Sequence, residues 1–361
     1  MAKPMTAGEP RAEDAFDVAA VHRWLKTHLP DLPETPEVRQ FGGGASNLTF
    51  LLAYPDRNLV LRRPPRGKKA ASAHDMGREV AVQRGLAPFW PMVPRVHAFC
   101  EDPSVIGSEF YVMEHLEGVI LGFDLPPGLE LGPARARVLG ETVIDTLADL
   151  HNVDVEQAGL AGLGKGPGYV RRQIEGWSRR WLGALTDDAP DAGPLMAWLD
   201  ERQPDDVAAR MLHGDWKLDN LVLGGLGGPG TEEADRPSIV GVLDWEMATV
   251  GDPLMDLGSS MAYWITADDE PFYALLRRQP SHLPGMPTRE EMVARYLERT
   301  GLPMGDWRFY EVFGLFRLAV IAQQIWARYR AGQTTNPAFK DFGGAVAVLV
   351  DRATGLIRER T

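Results

Sequence analysis

The stretch Leu212-His213-Gly214-Asp215-Trp216-Lys217-Leu218-Asp219-Asn220 joins residue types suited to chemistry with a spacing that can use them. Asp215 and Asn220 are five residues apart on what reads as a tight loop before a short strand. One carboxylate could then lie near a nucleophile while one amide oxygen faces a metal ion. A second segment, Val240-Gly241-Val242-Leu243-Asp244-Trp245-Glu246, is an apolar strand that ends in a carboxylate. Asp244 should therefore emerge at a strand end, near the loop that precedes the paired strand. Two carboxylates and an amide meeting there would form an oxygen-rich site, suited to Mg2+ rather than zinc. The third segment is Phe41-Gly42-Gly43-Gly44-Ala45-Ser46-Asn47, between β-like runs. Its consecutive glycines allow a ligand to approach the backbone closely, and free N–H groups there can face phosphate oxygens. No Gly-Lys-Ser/Thr follows, so it is not a Walker A loop, and a plain turn is the other reading.

The elements that must position these residues change character along the chain. Residues 1–13 lack periodicity and read as a disordered leader; Asp14 then reads as the N-cap of a helix that Pro30 stops. Short β-like runs follow at Leu48–Ala53, Asn58–Arg62 and Glu109–His115, with one helix over Ala73–Leu86 and a loop marked by Pro88, Pro91 and Pro94 leading toward Val96–Phe99. In Leu59-Val60-Leu61-Arg62 the period of two puts Val60 and Arg62 on one face. Beyond Gly118 the pattern turns helical. Leu139, Val143, Leu147 and Leu150 line one face of a long helix, and Tyr169–Leu182, Arg289–Arg299 and Phe309–Arg330 read as further helices. Leu221–Leu223 and Ile239–Trp245 read as a hairpin with a long loop.

The chain has 361 residues, of which 44% are apolar and 24% charged, an ordinary globular balance. Single cores rarely grow past about 250–300 residues, so two lobes are expected: 14–116 and 117–361. With 38 Lys+Arg against 50 Asp+Glu the net charge is −12, which argues against nucleic acid or an anionic membrane as partner. Cys100 is the single cysteine, so neither an intrachain disulfide nor a Cys-based zinc site is possible. No signal peptide is read at the N-terminus. The apolar run from Val312 to Ala327 is broken by Arg317, Gln323 and Gln324, so no membrane span is expected. The expectation is a cytoplasmic protein.

His213-Gly214-Asp215 with Asn220, then Leu243-Asp244-Trp245-Glu246, then Gly251-Asp252-Pro253 with Asp256-Leu257 resembles the signature of the aminoglycoside phosphotransferase-like branch of the protein-kinase-like fold. The resemblance covers roughly residues 35–330 and implies an α+β bilobal fold, with a small β-rich N-lobe and a larger, mainly helical C-lobe. It implies a phosphotransferase that moves the γ-phosphate of ATP (or GTP) to a hydroxyl of a small molecule, with Mg2+ bridging the phosphates. Asp215 would accept the hydroxyl proton, Lys217 would steady the γ-phosphate, and Asn220 and Asp244 would hold the metal. Gly43, Gly44 and Ser46 would cradle phosphate. Arg62 stands where the fold has its phosphate-gripping lysine, with Glu79 as the helical partner; arginine can grip phosphate, although the two cations are not interchangeable. The backbone of Glu114 and Leu116 would form the hinge that pairs with the purine edge. His213 and Asp256 read as scaffold.

The acceptor is less legible. In Tyr169–Trp181, Arg172 and Arg179 share one helix face and Trp177 and Trp181 another. A solvated basic face over two core tryptophans is the favoured reading; the alternative is a site for an anion beside an aromatic wall. Gly44–Phe50, Leu61–Pro65 and Ser72–Glu79 resemble the kinase-like domains found with acyl-CoA dehydrogenases, which implies a hydroxylated acid or its CoA thioester as acceptor. Aminoglycoside- or choline-type alcohols, and a catalytically silent nucleotide-binding regulatory module, are the other readings.

Overall fold

The computed structural model describes residues 7–42, 47–65, 75–226 and 236–358. Two compact units emerge. The first holds the chain up to Leu129 together with Glu156–Leu160 and Asp219–Ala248; the second holds Glu130–Val155, Ala161–Leu218 and the chain from Thr249.

The first unit is built on an antiparallel sheet of β1 (Ala7–Gly8), β2 (Glu37–Phe41), β3 (Leu48–Ala53), β4 (Asn58–Arg63), β5 (Val96–Cys100) and β6 (Phe110–Glu114), in the order β1-β2-β3-β4-β6-β5. Alternation along β3 sends Leu48, Phe50 and Leu52 inward. They join Leu59 and Leu61 of β4 in a core that includes Val21 and Leu25 of helix α1 (Val18–Lys26). On the opposite face Val60 packs with Tyr111, Met113, and Met76 and Val80 of helix α2 (Met76–Leu86). Both faces of β4 are thus covered, and the period of two delivers Arg62 to the α2 side. Arg63 points the other way, with its guanidinium over the rings of Phe16 and Phe50.

Two expectations near the N-terminus are corrected. Ala7 and Gly8 are not part of an irregular leader: they pair with Phe41 and Gln40. Nor does Asp14 cap α1. It lies buried at the end of a 3-10 turn, accepting from Gln40 Nε2 (2.8 Å) and Arg11 Nε (2.7 Å). The cap is Asp17, whose carboxylate accepts the Ala20 N–H at 2.9 Å.

The hairpin Leu221–Gly224/Ser238–Val242 completes this unit, with Leu221 opposite Val242. It is stitched to the segment after β6: Val119 and Leu223 exchange both backbone hydrogen bonds, at 2.9 and 2.8 Å. Gly118 serves that approach, because a Cβ there would stand 2.7 Å from the Leu223 carbonyl oxygen.

The second unit is mainly helical: α3 (Pro133–His151), α4 (Tyr169–Leu182), α5 (Gly193–Arg202), α6 (Pro253–Met261), α7 (Arg289–Thr300), α8 (Trp307–Arg330) and α9 (Phe342–Arg358). Leu139, Val143, Leu147 and Leu150 of α3 are all buried, as their spacing predicts. A short antiparallel pair, Arg210–Leu212 with Thr249–Gly251, delivers the chain into the His213–Leu218 loop. Glycine sets the crossing of α6 and α8: a Cβ on Gly314 would lie 2.0 Å from the Gly258 carbonyl oxygen.

Candidate active site

In the first unit the α2 face of β4 brings predicted residues together. Arg62 lies between two carboxylates, 3.3 Å from Glu79 Oε2 through Nε and 3.0 Å from Asp244 Oδ1 through a terminal nitrogen. The Arg62 side chain is 10% exposed and that of Glu79 1%, so this is a buried ion pair. Glu79 also accepts from the Tyr111 hydroxyl (2.8 Å) and from Asn47 Nδ2 (2.8 Å). Burial is the strongest influence on the Glu79 carboxyl and raises its pKa; the Arg62 charge and the Tyr111 hydrogen bond pull it back without cancelling the rise.

Asp244 follows the hairpin directly. It is the one non-glycine among the described residues with positive φ, at 66°. Aspartate tolerates this left-handed region better than most residues, yet the conformation costs energy, and such strain gathers at functional sites. It turns the chain from the strand into a 3-10 turn, Trp245–Met247, anchored by Trp245 Nε1 on the Val242 carbonyl (3.0 Å). Asn220 sits across the hairpin, where its carbonyl accepts the Leu243 N–H at 2.8 Å. Asn220 is buried, whereas the Asp244 side chain is 32% exposed.

Along the segment after β6, the Glu114 N–H is committed to the Arg95 carbonyl (2.9 Å). Leu116 lies half-buried on Gly241. Gly43, Gly44 and Ser46 lie outside the described residues. Sequence reasoning missed Asn47, Tyr111 and Glu246 as members of this cluster. Asn47 Nδ2 lies 3.3 Å from Glu246 Oε2 as well as bonding Glu79, so it ties the end of the glycine-rich segment to the Asp244 turn. Asn47 and Glu246 stand inside quoted motifs, which is a usable signal; nothing in the spacing singles out Tyr111.

In the second unit Asp215 and Lys217 form an ion pair, Oδ2 to Nζ, at 2.9 Å. Burial works to raise the Asp215 carboxyl, but the Lys217 and Arg317 charges and the Lys217 hydrogen bond outweigh it and leave it below the usual range. The loop around it is braced from within. Asp256, buried in the first turn of α6, accepts the N–H groups of His213 (2.9 Å) and Gly214 (3.0 Å). It also lies 3.3 Å from His151 Nε2, whose other ring nitrogen is 2.5 Å from the Tyr296 hydroxyl. A carboxylate can only accept, so the bond to Asp256 is donated by Nε2 of His151. The Asp215 N–H donates to His213 Nδ1 (3.2 Å), and the Leu218 N–H to Gln279 Oε1 (2.9 Å). Arg317 donates to the Gly214 carbonyl at 2.5 Å. His213 and Asp256 are thus scaffold in the geometry, as the sequence reading has them. Asp252 caps α6 through the Leu254 N–H and also holds the Val207 N–H, both at 2.8 Å; burial pushes its carboxyl up to about 6.

Trp177 and Trp181 are both buried, and Arg172 spends its terminal nitrogens on the carbonyls of Pro167 (2.5 Å) and Gly166 (2.6 Å). The favoured reading of α4 holds there: two core tryptophans, with Arg172 holding a loop rather than an anion.

Among the described residues no group of three or more His, Cys, Asp or Glu side chains could hold a metal ion, and no helix is long and apolar enough to cross a membrane. Asn220 and Asp244 are oxygen donors of the kind Mg2+ takes, an ion that usually binds one or two carboxylates and completes its shell with waters and phosphate oxygens.

Comparison with known proteins bears on both clusters. The chicken (Gallus gallus) protein named acyl-CoA dehydrogenase family member 11 is 33% identical over 368 residues, covering 99% of this chain and 45% of that protein. The chain thus spans less than half the length of that relative. A crystal structure of a Ralstonia eutropha protein, provisionally described as an aminoglycoside phosphotransferase, is 31% identical with a TM-score of 0.77, covering 95% of this chain and 98% of that one. The aminoglycoside phosphotransferase APH(4)-Ia, as a thermostable mutant in a ternary complex with AMP-PNP and hygromycin B, is similar in fold alone, with 15% identity, a TM-score of 0.55, and coverage of 92% of this chain and 98% of that one. The family described as "Phosphotransferase enzyme family" matches residues 37–292, a span that takes in the Arg62–Glu79–Asp244 set and the Asp215–Lys217 pair alike. The chain belongs to this phosphotransferase family, whose fold is that of the protein kinases.

Proposed function

We propose that the protein is a Mg2+-dependent kinase that transfers the γ-phosphate of ATP (or GTP) to a hydroxyl of a small molecule. The observation that carries this reading is Asp244, held at a φ of 66° at the end of its hairpin and ion-paired to Arg62. A structural turn would use glycine at that position without strain; a half-buried, charged side chain there has a use in chemistry. In this reading Asn220 and Asp244 would hold Mg2+. When bound, the ion would neutralise phosphate charge as the bond to the leaving group breaks. Arg62 would meet the phosphates through its fork of donors while Glu79 fixes its direction. The Glu114 carbonyl and the Leu116 N–H would meet the base, since the Glu114 N–H is already used. Gly43, Gly44 and Ser46 would cover the phosphates.

Asp215 would hold the acceptor hydroxyl and receive its proton. Its carboxyl lies below the usual range, so it is ionised at neutral pH and a weak base. That suits phosphoryl transfer, in which orientation and charge stabilisation matter more than early proton removal. Lys217, paired to Asp215 at 2.9 Å, would follow the phosphoryl group. The acceptor would be a hydroxy acid or a hydroxyacyl-CoA, a reading supported by similarity to acyl-CoA dehydrogenase family members. Against a polycationic acceptor stands Asp269, whose carboxylate is spent on Arg289 (2.7 and 2.8 Å) and Arg352 (3.0 Å). Cys100 is a buried free thiol, which suits a reducing, cytoplasmic setting.

The test is phosphorus NMR of ATP with hydroxylated acceptors and Mg2+. Asp215→Ala should retain nucleotide affinity and lose about 10²–10⁴ in transfer rate, the usual general-base contribution. Asp244→Asn should lose Mg2+-dependent nucleotide affinity. Undiminished transfer in the Asp215 variant would overturn its role, and a wild-type protein that binds nucleotide but transfers nothing would be a silent module.

A further inference from the structure

Two guanidinium groups lie against one indole ring in the second unit. Arg180 Cζ, on α4, is 4.6 Å from the centre of the Trp177 ring, and Arg317 Cζ, on α8, is 5.2 Å from the same centre. Trp177 is 6% exposed and is fixed by its Nε1 hydrogen bond to Gln173 Oε1 at 3.1 Å. A Cβ on Gly176 would stand 3.3 Å from an Arg180 terminal nitrogen, so that side chain lies back along its own helix.

Neither arginine has a carboxylate within ion-pair distance among the described residues, whereas Arg62, Arg289 and Arg295 do. Two adjacent cations with no carboxylate in ion-pair contact are unfavourable, and the more so because Arg317 is 6% exposed. The repulsion registers on Arg180, whose pKa is pushed down first by burial and then by the charges of Arg179 and Arg317. Resting a guanidinium on an aromatic ring occupies its face and leaves the in-plane N–H groups free for a planar anion. Arg317 spends one nitrogen on the Gly214 carbonyl at 2.5 Å. It contributes nothing to the buried, unbonded nitrogens, a group that includes Arg62 Nε and Arg289 Nε, so its other N–H groups reach solvent. The pair is also anchored at the residue before Asp215, and the Arg317 charge is felt at the Asp215 carboxyl.

We propose that Arg180 and Arg317, backed by Trp177, bind an anionic group of the phosphate acceptor, a carboxylate or a phosphate, and so select hydroxylated anions over cationic alcohols. This deepens the kinase reading and rests on Asp215 as the residue that receives the acceptor hydroxyl. It also relocates the anion site from the Arg172/Arg179 face to the Arg180/Arg317 pair.

The test is titration calorimetry of the full chain, without nucleotide, against 3-hydroxybutyrate, its uncharged amide, choline and 3-hydroxybutyryl-CoA. At least one of the two anions should bind about tenfold or more tightly than the amide or choline, as charge-assisted hydrogen bonds predict. Arg180→Gln and Arg317→Gln should each remove most of that preference, and Arg317→Lys should keep part of it. A preference for the free acid assigns the site to carboxylate; a preference for the CoA ester assigns it to phosphate. Arg180 is exposed, so its variant reads binding rather than folding. Equal affinity for charged and uncharged ligands, failure of both anions to bind, or an unchanged preference in Arg180→Gln would overturn the proposal. Phosphate transfer is measured separately with ATP and Mg2+: charge-selective binding without transfer would overturn the kinase reading and leave the anion site standing.

Discussion

Arg62→Ala removes the cation from a cluster whose carboxylates cannot both escape to water. The Arg62 side chain is 10% exposed, that of Glu79 1% and that of Asp244 32%. Asp244 can rehydrate, so the loss falls mainly on Glu79. Breaking a buried ion pair by deleting one partner costs about 3–5 kcal/mol. Glu79 would keep its hydrogen bonds from Tyr111 and Asn47, both 2.8 Å long, which puts the expected loss at the lower end, about 3 kcal/mol. At about 2–4 °C per kcal/mol for a domain of 150–250 residues, Tm should fall by about 6–12 °C.

The pH dependence makes the attribution specific. Burial already raises the folded-state pKa of Glu79, and the Arg62 charge is the largest influence pulling it back. Without Arg62 the pKa rises further. A carboxyl whose folded pKa lies above its unfolded value stabilises fully below the unfolded value, about 4.3, and loses that contribution as pH rises through the folded value. The penalty of Arg62→Ala should therefore shrink as pH is lowered toward the unfolded value, because the orphaned Glu79 takes up a proton. Thermal melts of wild type and variant at four pH values, followed by near-ultraviolet circular dichroism, measure it. A loss under about 1 kcal/mol, or one that does not vary with pH, would refute the assignment of a buried charge pair.

Two further outcomes follow from packing and charge in the second unit. Gly314→Ala would place a methyl group 2.0 Å from the Gly258 carbonyl and force α6 and α8 apart, costing about 1–3 kcal/mol or more in urea unfolding; undiminished stability would contradict the crossing. Asp269, despite its burial, is brought from 3.8 to about 2 by hydrogen bonds from Arg289 and the Thr266 N–H and by the Arg352 charge. Its stabilisation, about 2 kcal/mol, is present above the unfolded value near 3.9 and lost as pH falls through about 2. Asp269→Asn should thus lower stability at pH 7 and flatten the acid limb of an unfolding titration.

Much of the sheet was legible because one physical rule governs it. The period of two along Leu59–Arg62 assigned one face correctly, putting Arg62 with Val60 on the side that meets Glu79. What escaped had no periodic signal. All nine residues of α6 are buried, so it shows no polar stripe to mark it as a helix. The strands Arg210–Leu212 and Thr249–Gly251 are three residues each, too short for a pattern. Asp14 and Asp17 are equally good caps by residue type; the choice was made by Gln40, which captures Asp14 from 26 residues away. Long-range choices of this kind also explain Tyr111, whose bond to Glu79 spans 32 residues and leaves no local trace.

The substitution of arginine for the lysine of the fold acquires a reason in the geometry of the first unit. A lysine ammonium is a compact point charge, best placed against one carboxylate, whereas the guanidinium fork presents donors along separate edges. Arg62 uses Nε toward Glu79 on α2 and a terminal nitrogen toward Asp244 beyond the hairpin, so one side chain meets acids from two elements. Even so, one guanidinium pairs with two carboxylates, Glu79 and Asp244, so this set carries one more negative charge than positive. Such a residue of charge fits the proposed divalent cation and would disfavour phosphate alone. The second unit has the opposite imbalance: Asp215 is paired with Lys217, while Arg180 and Arg317 have no carboxylate within ion-pair distance among the described residues. A cationic acceptor would leave the second imbalance standing. A hydroxylated anion, phosphorylated by nucleotide with Mg2+, would answer each where it occurs.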